Sequence, residues 1–222
     1  NFQKDAQAQE PKFKDLEAPI QVLKNWNYYS NVNSVATTLA NEWAFKLNPI
    51  LQKVYIDEGE KDQVENMTEF AKTAGIDDML PQLREVIQEL QTKFGKWEIP
   101  WGDINRFQRP SGDIDLTYDD NKESLAMGTA SVLWGSLPAF KSSYQNNSKK
   151  RYGYNGNSFI CAVEFGPKIK AKSLLAGGNS GDPNSKHFFD QAKMYQNAQF
   201  KDVLFYKEDV QKNAEKTYHP GE

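Results

Sequence analysis

Apolar side chains recur every three or four positions through most of the first 95 residues, and the pattern then breaks into short apolar runs separated by Gly, Pro and Asn. Phe13, Leu16, Ile20 and Leu23 predict a helix, with Pro19 as a possible break. Ser34 is positioned to cap a second helix carrying Ala36, Ala40, Ala44, Leu47 and Leu51, which Pro49 would kink or end. The acidic stretch 59–66 reads as a loop. The strongest helix follows: Asp77 and Asp78 offer caps, Pro81 suits a first turn, and Leu80, Leu83, Ile87, Leu90 and Phe94 form one stripe before Gly95 ends it.

Beyond Trp97, segments 130–134, 158–165 and 168–176 have strand character, and Gly166-Pro167 makes the last two a hairpin. The polar stretch 141–150 reads as a mobile surface loop, His187 to Phe200 as a helix, and Lys207 to Tyr218 as a last polar helix. The class is therefore α+β, organised as a mainly helical segment 1–96 and a strand-containing segment 97–222.

Composition narrows the function classes. In 222 residues, 27 Lys+Arg oppose 30 Asp+Glu, so no general polyanion-binding surface for nucleic acid or anionic lipid is expected. No run of 18 apolar residues exists, so no membrane span is expected. There is also no signal peptide and no initiator Met, which predicts a processed product or a piece of a longer protein. Cys161, the single cysteine, is expected to be a buried thiol in a strand. With it and only two histidines, His187 and His219, a His/Cys zinc site has too few ligands, and no cofactor is expected.

Candidate chemistry is sparse. Asp113, Asp115, Asp119 and Asp120 around Tyr118 could hold calcium but lack the glycine and closing Glu of an EF-hand, which favours a solvated acidic loop. Gly177 to Gly181 reads as a turn that could alternatively cradle an anion. His187, Asp190 and Gln191 fall on one face of a helix expected to begin near Ser185, either orienting a catalytic group or tying the helix to a neighbouring loop. Asn66-Met-Thr68 and Asn146-Asn-Ser148 match glycosylation sequons.

Three segments are more specific: Trp101-Gly-Asp-Ile-Asn-Arg106, the strand pair around Ser158 to Phe165, and Gly178-Asn-Ser-Gly-Asp-Pro-Asn-Ser-Lys-His-Phe-Phe-Asp-Gln191. In this order they resemble the C-terminal part of the β-subunit in the penicillin acylase family, which includes acyl-homoserine lactone acylases. The tail Lys207 to Glu222 and the helical part with Trp26 and Ser34 to Trp43 resemble the same family, so the likeness spans nearly the whole chain.

That resemblance implies the αββα fold of an N-terminal nucleophile hydrolase. In such an enzyme a precursor, the zymogen, cuts itself so that a Ser leads the β-subunit, with its own α-amine as base. It also implies a periplasmic or secreted enzyme that splits N-acyl compounds into carboxylic acid and amine, in the service of antibiotic resistance or quorum quenching. Residue 1 here is Asn, and the nucleophile, its following His and the oxyanion Asn belong upstream. The chain is therefore expected to carry no catalytic residue, to be inactive alone, and to serve as scaffold for the remaining α- and β-subunit chain. Trp101, Gly102, Asn105, Arg106, Gly178, Ser180, His187, Asp190 and Gln191 would lock this part in place. Glu164 is the candidate to support the His near the nucleophile, the alternative being a strand Glu that faces solvent or makes a structural pair. The family's calcium has no assignable site here. The competing expectation is a stand-alone carbohydrate- or peptide-binding module built on aromatic-rich polar loops.

Overall fold

The computed structural model describes residues 11–58, 63–110, 117–131, 134–136, 138–145, 147–219 and 221; of residues 11, 52–58, 63 and 64 it describes the backbone alone. The chain forms two compact units, Asn1–Gln108 with Tyr118–Asn155, and Arg109–Thr117 with Gly156–Glu222. The change of texture near residue 97 is thus a change of secondary structure, while the compact units divide along a different line.

In the first unit a 3₁₀ segment, Pro11–Leu16, leads into helix α1, Glu17–Lys24. Pro19 is the third residue of α1, where the helix needs no N–H, so it does not break the run. Helix α2 is Val35–Glu58. Ser34 Oγ accepts the N–H of Thr37 at 3.0 Å, the third helical residue, as an N-cap should. Pro49 does not end α2; the helix forgoes one hydrogen bond and continues. Helix α3, Gln63–Thr73, takes over residues 63–66 of the expected acidic loop. Asn66 and Phe70, four apart, are buried, and that spacing outweighs the polar composition around them. Residues 59–62 lie outside the described residues.

Helix α4 is Ile76–Phe94. Asp78 Oδ2 accepts the Gly75 N–H at 2.9 Å, the reach-back half of a capping box. Pro81 is its sixth residue rather than a first-turn one. Leu80, Leu83, Ile87 and Leu90 are buried, joined by Val86, whereas Phe94 is only partly so. Gly95 closes the helix at φ +80°, donating to Gln91 O. This stripe meets Phe13, Leu16, Leu39 and Trp101 in the core.

A short helix α5, Trp101–Ile104, runs into β1, Asn105–Phe107. With β2 (Leu125–Ala126), β3 (Phe140–Tyr144) and β4 (Arg151–Gly156) it forms a sheet of order β2-β1-β4-β3. Strand β1 is antiparallel to β2 and parallel to β4. Two expectations are corrected here. Ala130, Ser131 and Trp134, expected in a strand, are not: Ala130 N–H donates to Ser136 Oγ and Trp134 N–H to Ser131 O, so a turn satisfies groups a ladder would use. Conversely, part of the expected mobile loop at 141–150 is strand β3, because Phe140 and Ser142 alternate inward and small serines fit a crowded sheet face.

The second unit holds a sheet of order β5-β6-β7, from Phe159–Glu164, Lys170–Leu175 and Lys201–Asp202. The expected hairpin forms, with Phe159 opposite Leu175 and Glu164 opposite Lys170. Cys161 lies in β5 as expected but is exposed, not buried, because β5 is an edge strand and the unit's buried side chains come from β6 and helix α6, Ala192–Gln196. The helix expected over His187 to Phe200 shrinks to α6. Ahead of it, Ser180 Oγ, Asp182 Oδ1 and Ser185 Oγ each accept a backbone N–H two residues on, and these local bonds outcompete helical ones. The last helix, α7, covers only Lys207–Lys212 of the predicted Lys207 to Tyr218.

Candidate functional site

In the Trp-Gly-Asp motif of the first unit Trp101 and Gly102 are buried and Asp103 is exposed. Trp101 is fully buried, with its indole N–H unpartnered among the described residues. Gly102 N–H donates to Val32 O at 2.7 Å, and a Cβ there would lie 2.8 Å from Val32 Cβ and 2.9 Å from Ala126 Cβ. No other residue fits without moving the chain. Asn105 is fully buried and fully used: its amide donates to Met127 O and Thr129 O, both at 2.8 Å, and its carbonyl accepts from Ser142 Oγ at 2.7 Å. Arg106 donates to Gly102 O at 2.8 Å, to Ser124 Oγ at 3.0 Å and to Ser124 O. Asn105 and Arg106 therefore staple residues 124–129, β2 and the chain around it, onto β1.

A buried ion pair that the sequence reading missed lies in the same unit. Arg151 on β4 reaches Glu42 on α2 at 3.2 Å, donates to Ser142 O at 3.0 Å and lies over the rings of Phe45 and Tyr144. Burial pushes the Glu42 carboxyl up and the nearby Arg151 opposes it. The available signal was a carboxylate three residues past Leu39, on the buried side of α2.

Of the acidic cluster, Asp113 and Asp115 lie outside the described residues. Asp120 is a structural acceptor: it takes hydrogen bonds from Ser148 Oγ at 2.6 Å, Lys149 N–H at 2.8 Å and Tyr152 O–H at 2.9 Å. Burial alone would raise its pKa, but these donors and Lys150 outweigh burial and hold it below the usual carboxylate value. Asn66 of the first sequon is buried, and Asn146 of the second is outside the described residues.

In the second unit the glycine-rich box closes on itself around Arg109. Its guanidinium donates to Ser180 O at 3.0 Å, to Gly178 O and to Phe188 O, and lies 4.1 Å above the Phe188 ring. Gly177 sits against it at φ +81°. A Cβ on Gly178 would come within 2.1 Å of His187 O, so the turn requires glycine. Arg109 was missed by sequence reasoning because it lies outside the box, about 70 residues before the carbonyls it holds.

Gln191 ties the far end. Its N–H donates to Gly177 O at 2.8 Å, its amide to Asn179 Oδ1 at 3.2 Å, and its carbonyl accepts from Lys201 Nζ at 2.7 Å. His187 Nδ1 and Asp190 Oδ2 are 2.8 Å apart on an exposed turn rather than a helix. The His187 contact holds the Asp190 carboxyl below its usual range. Among the described residues no hydroxyl or thiol is hydrogen-bonded to the His187 ring, so the pair is an orienting contact without a nucleophile. Ser180 spends its Oγ on the Asp182 N–H. Glu164, at the end of β5, is exposed with Lys170 Nζ at 3.6 Å.

Among the described residues no group of three His, Cys, Asp or Glu side chains is arranged to hold a metal, and no helix is long and apolar enough to cross a membrane. The family model described as Penicillin amidase matches residues 2–212.

Proposed function

The chain belongs to the penicillin amidase family, and we propose that it is the C-terminal part of that enzyme's β-subunit, a scaffold for an N-terminal nucleophile hydrolase of the αββα fold. The parent is an amide hydrolase, exported to the periplasm or beyond. Its leading Ser, on chain outside these residues, attacks the amide carbonyl of an N-acyl substrate, with the Ser α-amine taking the hydroxyl proton. Expulsion of the amine leaves an acyl-enzyme that water resolves to the carboxylic acid.

One observation carries the scaffold reading: Asn105, Arg106 and Gln191 spend their side chains on holding other segments of this same chain. Asn105 uses both ends of its amide, Arg106 and Arg109 donate to carbonyl oxygens, and Gln191 bridges three segments. Groups held this way serve to position a loop. Glu164, exposed at a strand end, is the one side chain assigned a supporting part toward the His of the nucleophile-bearing chain.

The test is hydrolysis of chromogenic amides with short, long and aromatic acyl groups, by this chain alone and after assembly with the Ser-led polypeptide. Turnover only in the assembly, abolished by replacing the leading Ser with Ala, is expected. Turnover by the chain alone that His187→Ala abolishes would assign catalysis to the box.

A further inference from the structure

From Asn25 to Asn41 no residue carries a charge, in a chain that is 26% charged. The loop between α1 and α2, Asn25-Trp-Asn-Tyr-Tyr-Ser-Asn-Val-Asn-Ser34, combines three aromatic rings with four asparagines. Aromatic rings normally end up buried, yet Tyr28 and Tyr29 are each 76% exposed. Tyr28 also holds φ +64°, a left-handed conformation that bulky side chains rarely adopt.

The loop is nonetheless fixed. Tyr29 O accepts from Trp26 Nε1 at 3.1 Å and from Thr37 Oγ1 at 3.4 Å, and Tyr29 N–H donates to Asn27 Oδ1 at 3.1 Å. The Trp26 and Tyr28 rings pack with centroids 5.5 Å apart. Val32 is held down by the Gly102 N–H. Two exposed rings are thus presented by a backbone already ordered, so little ordering cost remains for a ligand.

The border of these rings selects the ligand chemistry. The chain on either side of them, Asn25 to Asn41, carries neutral amides and hydroxyls and no Lys or Arg of the kind a phosphate or carboxylate ligand would require. Rings that stack, beside amides that both donate and accept, suit a flat-faced neutral polyol. We infer that residues 26–33 form a binding platform for a neutral carbohydrate, with sugar rings stacked on Tyr28 and Tyr29 and hydroxyls hydrogen-bonded by the flanking asparagines. The inference is independent of the hydrolase reading and survives or fails apart from it.

Calorimetric titration of the full chain with neutral oligosaccharides of glucose and of N-acetylglucosamine tests it. Saturable binding to one of them, with Kd of about 1 mM or below, is expected. The affinity should be unchanged by added sodium chloride and weakened about tenfold or more by Tyr29→Ala and by Tyr28→Gly. Because the loop's contacts use the Tyr29 backbone and not its ring, Tyr29→Ala should lose binding with no fall in melting temperature. Absence of saturable binding, retention of binding in both variants, or binding that salt removes would overturn the proposal. A lower melting temperature for Tyr29→Ala would also do so, by making the ring a structural one.

Discussion

The two units of the chain are held together by different physics. The first has a hydrophobic core in which Leu16, Leu39, Leu80 and Trp101 are wholly buried. The second buries few large apolar side chains, chiefly Leu174 and Tyr195, while Phe159, Phe165 and Phe205 are each at least 60% exposed. Its order comes instead from Arg109 and Gln191 gathering backbone carbonyls and side-chain amides. A unit of this size with so small a core is marginal by itself, and its bare edge strand β5 is the kind of surface a further segment of chain would cover. The difference teaches that the first unit rests on apolar burial and the second on polar ties, as the proposed scaffold role would have it.

The sharpest way to break that comparison is at the buried ion pair of the first unit. Arg151→Met leaves Glu42 buried without its partner and should cost about 3–5 kcal/mol of stability, while the double variant Glu42→Leu/Arg151→Met should recover most of it. Thermal unfolding of the three proteins measures this. Recovery that fails in the double variant would mean the pair does more than neutralise itself. Next in size, Gly178→Ala should destabilise the second unit by about 1–3 kcal/mol, since the new Cβ meets a backbone carbonyl that cannot swing aside. Hydrogen exchange should show the loss confined to residues 177–191.

Removing Arg109 as Arg109→Ala should cost a similar or smaller amount, about 2 kcal/mol, by orphaning the carbonyls of Gly178, Ser180 and Phe188. Asp120 gives a smaller effect that depends on pH. Its carboxyl lies below the usual 3.8 in the folded state. It therefore adds stability that is present above that value and lost as pH falls through the folded one. Asp120→Asn should flatten the acid limb of the first unit's pH–stability curve without changing its alkaline limb. Least of all, His187→Ala and Asp190→Ala should leave the melting temperature nearly unchanged, because that pair is exposed.

How legible the molecule was from sequence follows the same division. The stripe of α4 and its Gly95 stop were readable because burial there repeats every three to four residues. The hairpin of β5 and β6 was readable from its turn residues, but the exposure of Cys161 was not: alternation shows that a strand exists, not what covers its faces. Strand β3 was missed because its inward residue, Ser142, is polar, and the 187–200 helix was overdrawn because three side-chain caps in the box redirect the backbone. Gly102, Asn105 and Gly178 stood out by motif, and the contacts now give the physical reason for each. Arg109, Arg151 and Glu42 act through partners distant in sequence, and only Glu42, on the buried side of α2, left a local trace.

The central claim is that the second unit is completed by the nucleophile-bearing part of the enzyme. Hydrogen exchange over residues 156–175 of the chain, alone and after assembly with the Ser-led polypeptide, tests it most directly. The account predicts fast exchange along β5 in the isolated chain and strong protection on assembly. Protection of β5 already complete in the isolated chain, and unaltered by the added polypeptide, would contradict it.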